Sequence, residues 1–222
     1  VIDRETDLLR MMETQMQALP SNDSKEKTLL EEWKLSITPV NDEEELRQIK
    51  RHMGHSADCF SKAFRVKNSN RDNAFWNYYD KHNYHKEDIH YWYHGSRNMN
   101  CLSILHNGLI LNPKAPKVGH MFGYGIYLAP KAKKSIGYTS LNGSFWVHGT
   151  SDKAYLFVMK TVYKSPYHVY TWTSGMKSLT KSRISPHDAV FAHAGTSLRN
   201  DEVVIFDDAQ VTLQYIIELK QQ

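Results

Sequence analysis

The chain has 222 residues, 41% of them hydrophobic and 12% aromatic against 23% charged. That supports one sizeable core and excludes intrinsic disorder and collagen-like structure. Lys plus Arg exceed Asp plus Glu by 28 − 24 = 4 with no long single-sign block, which tolerates an anionic substrate but lacks the clustered basic face of a dedicated DNA-binding domain.

Leu8, Leu9, Met12, Met16 and Leu19 recur at helical spacing before Pro20-Ser-Asn-Asp-Ser breaks the pattern. A short helix is predicted over residues 25–33, and Leu35-Ser-Ile-Thr-Pro-Val alternates as a strand does. Asn41 stands as the N-cap of a third helix, with Leu46, Ile49 and Met53 on one face and Gly54 as its stop. An aromatic helix is predicted over residues 71–82. From Asp88 the period changes to two, with Ile89, Tyr91 and Tyr93 alternating with His90 and Trp92, so a strand feeds into His94-Gly-Ser-Arg. Further strands are expected at 125–128, 153–162, 168–172, 189–193, 201–206 and 211–219. Many short strands with few helices between them predict an α+β fold on antiparallel sheet, joined to the helical N-terminus near Leu35.

No run approaches the roughly 18 to 20 apolar residues that would cross a bilayer, and Val1-Ile-Asp-Arg-Glu-Thr-Asp is not a signal peptide. The missing initiator Met is the pattern expected of a piece of a longer protein. Two distant cysteines, Cys59 and Cys101, make neither a disulfide scaffold nor a zinc ribbon and point to a reducing, intracellular compartment.

Gly119, Gly123 and Gly125 let the backbone pass close to something bulky, but Gly-x-Gly here lacks a third glycine and leads into a strand, which disfavours a Rossmann oxidoreductase. On a strand, His90 and His94 share a face about 13 Å apart, too far to chelate one ion, so no metal site is expected. In the late run Arg199-Asn-Asp-Glu-Val-Val-Ile-Phe-Asp, alternation puts Glu202, Val204 and Phe206 on one face, a carboxylate beside apolar groups and in need of a partner.

Four motifs then fall in a fixed order: Tyr93-His94-Gly95-Ser96-Arg97, Gly119-His-Met-Phe-Gly-Tyr-Gly-Ile-Tyr127-Leu-Ala, Lys134-Ser135-Ile-Gly-Tyr138, and Asn200-Asp-Glu202-Val-Val-Ile-Phe-Asp. Together they resemble the catalytic domain of the poly(ADP-ribose) polymerases over residues 36–222. Asn112-Pro-Lys-Ala-Pro-Lys-Val-Gly is similar to the donor-site loop of the DNA-damage-responsive members. The resemblance implies the ADP-ribosyltransferase fold, two packed and mostly antiparallel sheets. It also implies that residues 1–35 are a reduced or truncated helical regulatory segment, which either covers the donor cleft or serves only as packing.

By the same resemblance the His-Tyr-Glu triad is His94, Tyr127 and Glu202. His94 is expected to hydrogen-bond the adenine-side ribose of NAD, Gly95 and Ser135 to hold the nicotinamide amide, Tyr138 to stack on its ring, and Ser96 and Asn100 to line the ribose and adenine side. Met121 and His120 fall on the acceptor side. Glu202 is expected to stabilise the oxocarbenium-like transition state and to polarise the acceptor hydroxyl. Ile110 stands where damage-responsive relatives usually have an arginine, and His120 where they have an aromatic residue.

The implied activity is an NAD-consuming ADP-ribosyltransferase, with NAD as substrate and no redox cofactor, acting on protein acceptors including itself and extending poly(ADP-ribose) chains. Alternatives are mono-transfer, NAD glycohydrolysis, or a silent module binding NAD or ADP-ribose. DNA activation is compatible with the resemblance, although no DNA-binding module is read in this chain and no membrane partner is expected. The expected location is nuclear in a eukaryote and cytoplasmic in a bacterium.

Overall fold

The computed structural model describes residues 27–111 and 121–221; the predicted helix over residues 8–19 lies outside them. The short predicted helix is α1 (Leu29–Glu32), where Thr28 and Glu31 form a capping box. Strand β1 (Leu35–Pro39) follows, then α2 (Glu43–Met53). The α2 cap is Asp42 rather than the expected Asn41: its Oδ1 accepts from the Glu45 N–H at 2.8 Å, and only the residue directly before the first turn reaches that donor. Gly54 ends the helix at φ 59°, as the sequence predicts. Acidic residues in the first turn of α2 and basic ones in the last oppose its dipole.

Strand β2 (Phe60–Asn68), which the sequence pattern does not predict, leads into α3 (Ser69–Lys81) and β3 (Ile89–Gly95). Two further unpredicted helices, α4 (Cys101–Asn107) and α5 (Ala132–Ile136), flank β4 (Ile126–Leu128). The remaining strands are β5 (Lys153–Val162), β6 (Pro166–Val169), β7 (Ala189–Ala192), β8 (Glu202–Ile205) and β9 (Val211–Lys220).

Among the described residues these strands form two sheets in the orders β1-β2-β9-β5-β3 and β4-β8-β7-β6. Every pairing is antiparallel except β6 with β7. This is the α+β fold that the sequence predicts.

Alternation in β5 fixes the layers. Phe157 and Met159 enter the core between the sheets with Ile126, Leu128, Val203 and Ile205. Ala154, Leu156 and Val158 face the other way, against Ile49 and Met53 of α2. Leu156, Phe157 and Met159 have no exposure, and burial stabilises each by roughly 1.5–3 kcal/mol.

In β9, Val211 and Leu213 share the inter-sheet core with Ile216, a change of parity that strict alternation forbids. A bulge resolves it: Val158 pairs with Tyr215 but Met159 with Leu213, leaving Gln214 as the extra residue. Without it every later side chain of β9 would point to the wrong face. Of the described residues, no helix is long and apolar enough to cross a membrane.

Candidate active site

The site grows from a seam between the sheets. β3 is the edge of the first sheet and β4 the edge of the second. They are joined by reciprocal bonds, Tyr93 N–H to Ala129 O and Ala129 N–H to Tyr93 O, both 2.9 Å. Alternation along β3 sends Tyr93 toward α2, where its hydroxyl meets His52 Nδ1 at 2.7 Å, and leaves His94 on the opposite side beside Phe157.

His94 Nδ1 lies 3.0 Å from the Tyr127 carbonyl oxygen. A carbonyl only accepts, so Nδ1 carries the proton and Nε2 keeps a lone pair for an incoming hydroxyl. Burial lowers the pKa of His94 from its ordinary 6.5, with the Tyr127 carbonyl opposing that shift. The imidazole is therefore neutral near pH 7.

Tyr127 lies on the same face of the second sheet as Val204 and Phe206. Its hydroxyl accepts from Phe122 N–H at 2.9 Å and donates to Gly123 O at 2.8 Å, tying the glycine-rich turn to β4. Burial raises the pKa of this phenol, and the charge of Glu202 adds to the shift.

Glu202 opens β8 as the alternation predicts. Its carboxylate pairs with Lys134 Nζ, the two side chains being 13% and 10% exposed. Burial lowers the pKa of Lys134 from 10.5 while Glu202 and Asp201 pull it back up. Lys134 stands within its motif with no role that the sequence alone assigns. Helical spacing offers no signal for it, because Tyr138 lies beyond the end of α5 and the partner of Lys134 arrives from β8.

Ser135 is buried, and its hydroxyl donates to Tyr93 O at 3.0 Å. That commits its proton, so toward an amide it offers lone pairs. Gly95 ends β3 directly against the Ser135 carbonyl oxygen, which a Cβ at position 95 would overlap. Beyond it, Asn100 Nδ2 donates to Ser96 Oγ at 2.9 Å. Tyr138 is partly buried, and both burial and the charge of Glu202 raise its pKa.

Met121 packs in one cluster with Phe122, Tyr127 and Val204, its carbonyl accepting from Trp172 Nε1 at 2.7 Å. His120 and the loop from Asn112 to Gly119 lie outside the described residues. His94, Tyr127, Lys134, Glu202 and Tyr138 are thus linked by contact or charge around one seam, with Gly95 and Ser135 at its floor. A cavity of about 370 Å³ lined by Glu45, His52, Tyr91 and Tyr215 lies on the opposite, α2 side of β3. Among the described residues no group of three or more His, Cys, Asp or Glu is placed to hold a metal ion. His90 is instead stacked on Tyr163, with ring centroids 4.2 Å apart.

Residues 43–221 match the family model described as the poly(ADP-ribose) polymerase catalytic domain. The chain is 31% identical over 153 residues to poly(ADP-ribose) polymerase 1 of Gallus gallus, covering 58% of this chain and 14% of that protein. It is 33% identical over 146 residues to the poly(ADP-ribose) polymerase of Sarcophaga peregrina, 57% and 15% of the two chains. Against poly(ADP-ribose) polymerase 2 of Arabidopsis thaliana it is 26% identical over 219 residues, 83% of this chain and 33% of the other. The chain therefore spans a minor part of the length of these relatives. Its two-sheet fold is that of an ADP-ribosyltransferase domain. It belongs to the poly(ADP-ribose) polymerase catalytic-domain family.

Proposed function

We propose that this chain is an NAD-dependent ADP-ribosyltransferase that breaks the nicotinamide–ribose bond and passes ADP-ribose to a protein side chain, its own included, extending the product into chains. The observation that carries this reading is the Glu202–Lys134 pair, a largely buried carboxylate kept beside a cation at the seam that also holds His94 and Tyr127.

The neutral His94 offers Nε2 to the adenine-side ribose, Gly95 and Ser135 receive the nicotinamide amide, and Tyr138 receives its ring. Ser96 and Asn100 lie toward the adenosine and Met121 toward the acceptor. As the C1′–N bond lengthens, its electron pair leaves with nicotinamide and positive charge grows on the ribose. The Glu202 carboxylate stabilises that charge, an interaction realised mainly in the transition state and therefore worth rate rather than affinity. The acceptor oxygen then bonds to C1′ and its proton passes to Glu202 or solvent. NAD is consumed as substrate, with no redox step.

In this proposal residues 36–222 are the catalytic unit and residues 1–35 stand outside it as a reduced or truncated regulatory segment. The test is incubation of the purified chain with labelled NAD, with and without broken DNA, followed by denaturing electrophoresis. Protein-bound label running as a ladder is the expected result, and dependence on DNA reads out activation directly. Nicotinamide release without protein-bound label reduces the activity to hydrolysis, and the absence of both nicotinamide release and protein-bound label overturns the proposal.

A further inference from the structure

The loop between α5 and β5 holds two large aromatic side chains at the surface, Phe145 and Trp146, 60% and 44% exposed. Neighbouring apolar rings in water are costly and usually mark a use. The loop is internally pinned: Ser144 N–H donates to Leu141 O at 3.0 Å, Gly149 N–H to Ser144 Oγ at 2.8 Å, and Asn142 N–H to Ser151 O at 2.9 Å.

Its contact with α5 is direct. Trp146 N–H donates to Gly137 O at 2.9 Å. The indole passes so close to Gly137 that a Cβ there would stand 2.9 Å from Trp146 Cδ1. Trp146 lies on the Tyr138 ring, centroids 5.9 Å apart and planes 20° apart, while Phe145 meets Trp146 edge-on at 4.6 Å and 89°. The Arg199 guanidinium sits 5.8 Å from the Phe145 centroid. A ladder of rings therefore runs from the cleft wall to solvent and closes on the lead-in to Glu202.

We infer that Trp146, braced by Phe145, is a positioning residue that fixes the plane of the Tyr138 ring for the departing nicotinamide. The inference rests on the reading of Tyr138 as the ring that receives this base. The indole, offset but nearly parallel, limits how far the Tyr138 ring can turn. A ring already held in its bound orientation loses less freedom when a flat ligand stacks on it, so the gain is in affinity. Truncating Trp146 should weaken every ligand carrying the nicotinamide ring and leave the bond-breaking step nearly untouched.

The experiment compares Trp146→Ala, Trp146→Phe, Trp146→Leu and Tyr138→Ala by steady-state NAD kinetics and by inhibition with free nicotinamide. For Trp146→Ala, the KM for NAD and the inhibition constant for nicotinamide should rise together, by roughly three- to tenfold, with kcat near that of the parent. Trp146→Phe, which keeps a flat ring, should recover most of the loss and Trp146→Leu should not. If Trp146→Ala does not fold, the Phe and Leu variants decide alone, and equal affinities in those two overturn the inference. A kcat loss with KM unchanged overturns it as well. If Tyr138→Ala weakens nicotinamide while Trp146→Ala does not, the positioning role falls and the reading of Tyr138 survives. If neither variant moves the inhibition constant, both fall.

Discussion

Two glutamates of this chain are each held by a basic side chain, and they are used differently. Glu45, on α2, accepts from Arg65 Nε at 2.8 Å and again from Arg65 Nη2, and from the Tyr215 hydroxyl at 2.7 Å. Arg65, ahead of burial, which opposes it, and of Tyr215, lowers the pKa of Glu45 below its ordinary 4.5. Its lone pairs are spent on joining α2 to β2 and β9. Glu202 is the less exposed of the two, yet among the described residues its one hydrogen-bonding or ion-pairing partner is Lys134. A carboxylate saturated by its own fold is a staple, whereas one shielded from water with acceptor capacity left over is placed to meet something that arrives.

The sharpest break of this comparison is Glu202→Gln, which keeps shape and removes charge. The kcat for ADP-ribose transfer should fall by about 10²–10³-fold or more, while NAD binding measured by calorimetry stays near the parent value. Undiminished product ladders would remove Glu202 from the chemistry.

Lys134→Met should give the next largest effect. Removing one member of a poorly hydrated pair leaves the other charge uncompensated, and the lower end of the usual range, about 3 kcal/mol, suits side chains with some remaining exposure. Chemical denaturation should show that loss, with Lys134→Arg recovering part of it. A stability equal to the parent's would mean that the pair is a surface contact and that Glu202 is solvated.

The contrast also explains what the chain disclosed before it folded. Glu202, His94 and Tyr127 stand in short β runs with clear alternation, so both their elements and their faces could be read. Lys134 could not be given its role, because that role is defined by a carboxylate brought over from β8 by the pairing of β4 with β8. Helices α4 and α5 lack a side-chain cap, so nothing local announced their starts. In β2, Lys62 and Lys67 sit on exposed positions and a register shift between Phe60 and Lys62 interrupts the period. β6 was expected over residues 168–172 but runs from Pro166 to Val169; its partner β7 ends at Ala192, so Tyr170 has no strand beside it. Trp146 went unread because a surface loop carries no periodicity that would mark a ring as part of a cleft.

The pH profile sharpens the comparison from both sides. His94 is a base whose pKa burial lowers, so it gains its proton only when the pH falls through a value below 6.5. The protonated ring has no lone pair at Nε2, and kcat/KM for NAD should fall on that acid limb. Lys134 loses its proton as the pH rises through a value below 10.5, stripping Glu202 of its counter-charge and defining the alkaline limb. The Lys134→Met variant should lack the alkaline limb and keep the acid one. Retention of both limbs would assign the upper pKa to another group.

The smallest expected change is Glu45→Gln. Arg65 is exposed at the surface, so solvent screens its attraction to the carboxylate, and the neutral amide still accepts a hydrogen bond. Thermal stability at neutral pH should drop by less than in Lys134→Met, and kcat and KM for NAD should not move. Because the folded-state pKa of Glu45 is lowered, its contribution to stability is present above the unfolded carboxyl pKa and disappears as the pH falls through the lower, folded value. The stabilities of parent and variant should therefore converge in acid and separate toward neutrality. A gap that stayed constant across that range would show that the ion pair contributes nothing and that Glu45 acts only through the packing of its side chain against Tyr215.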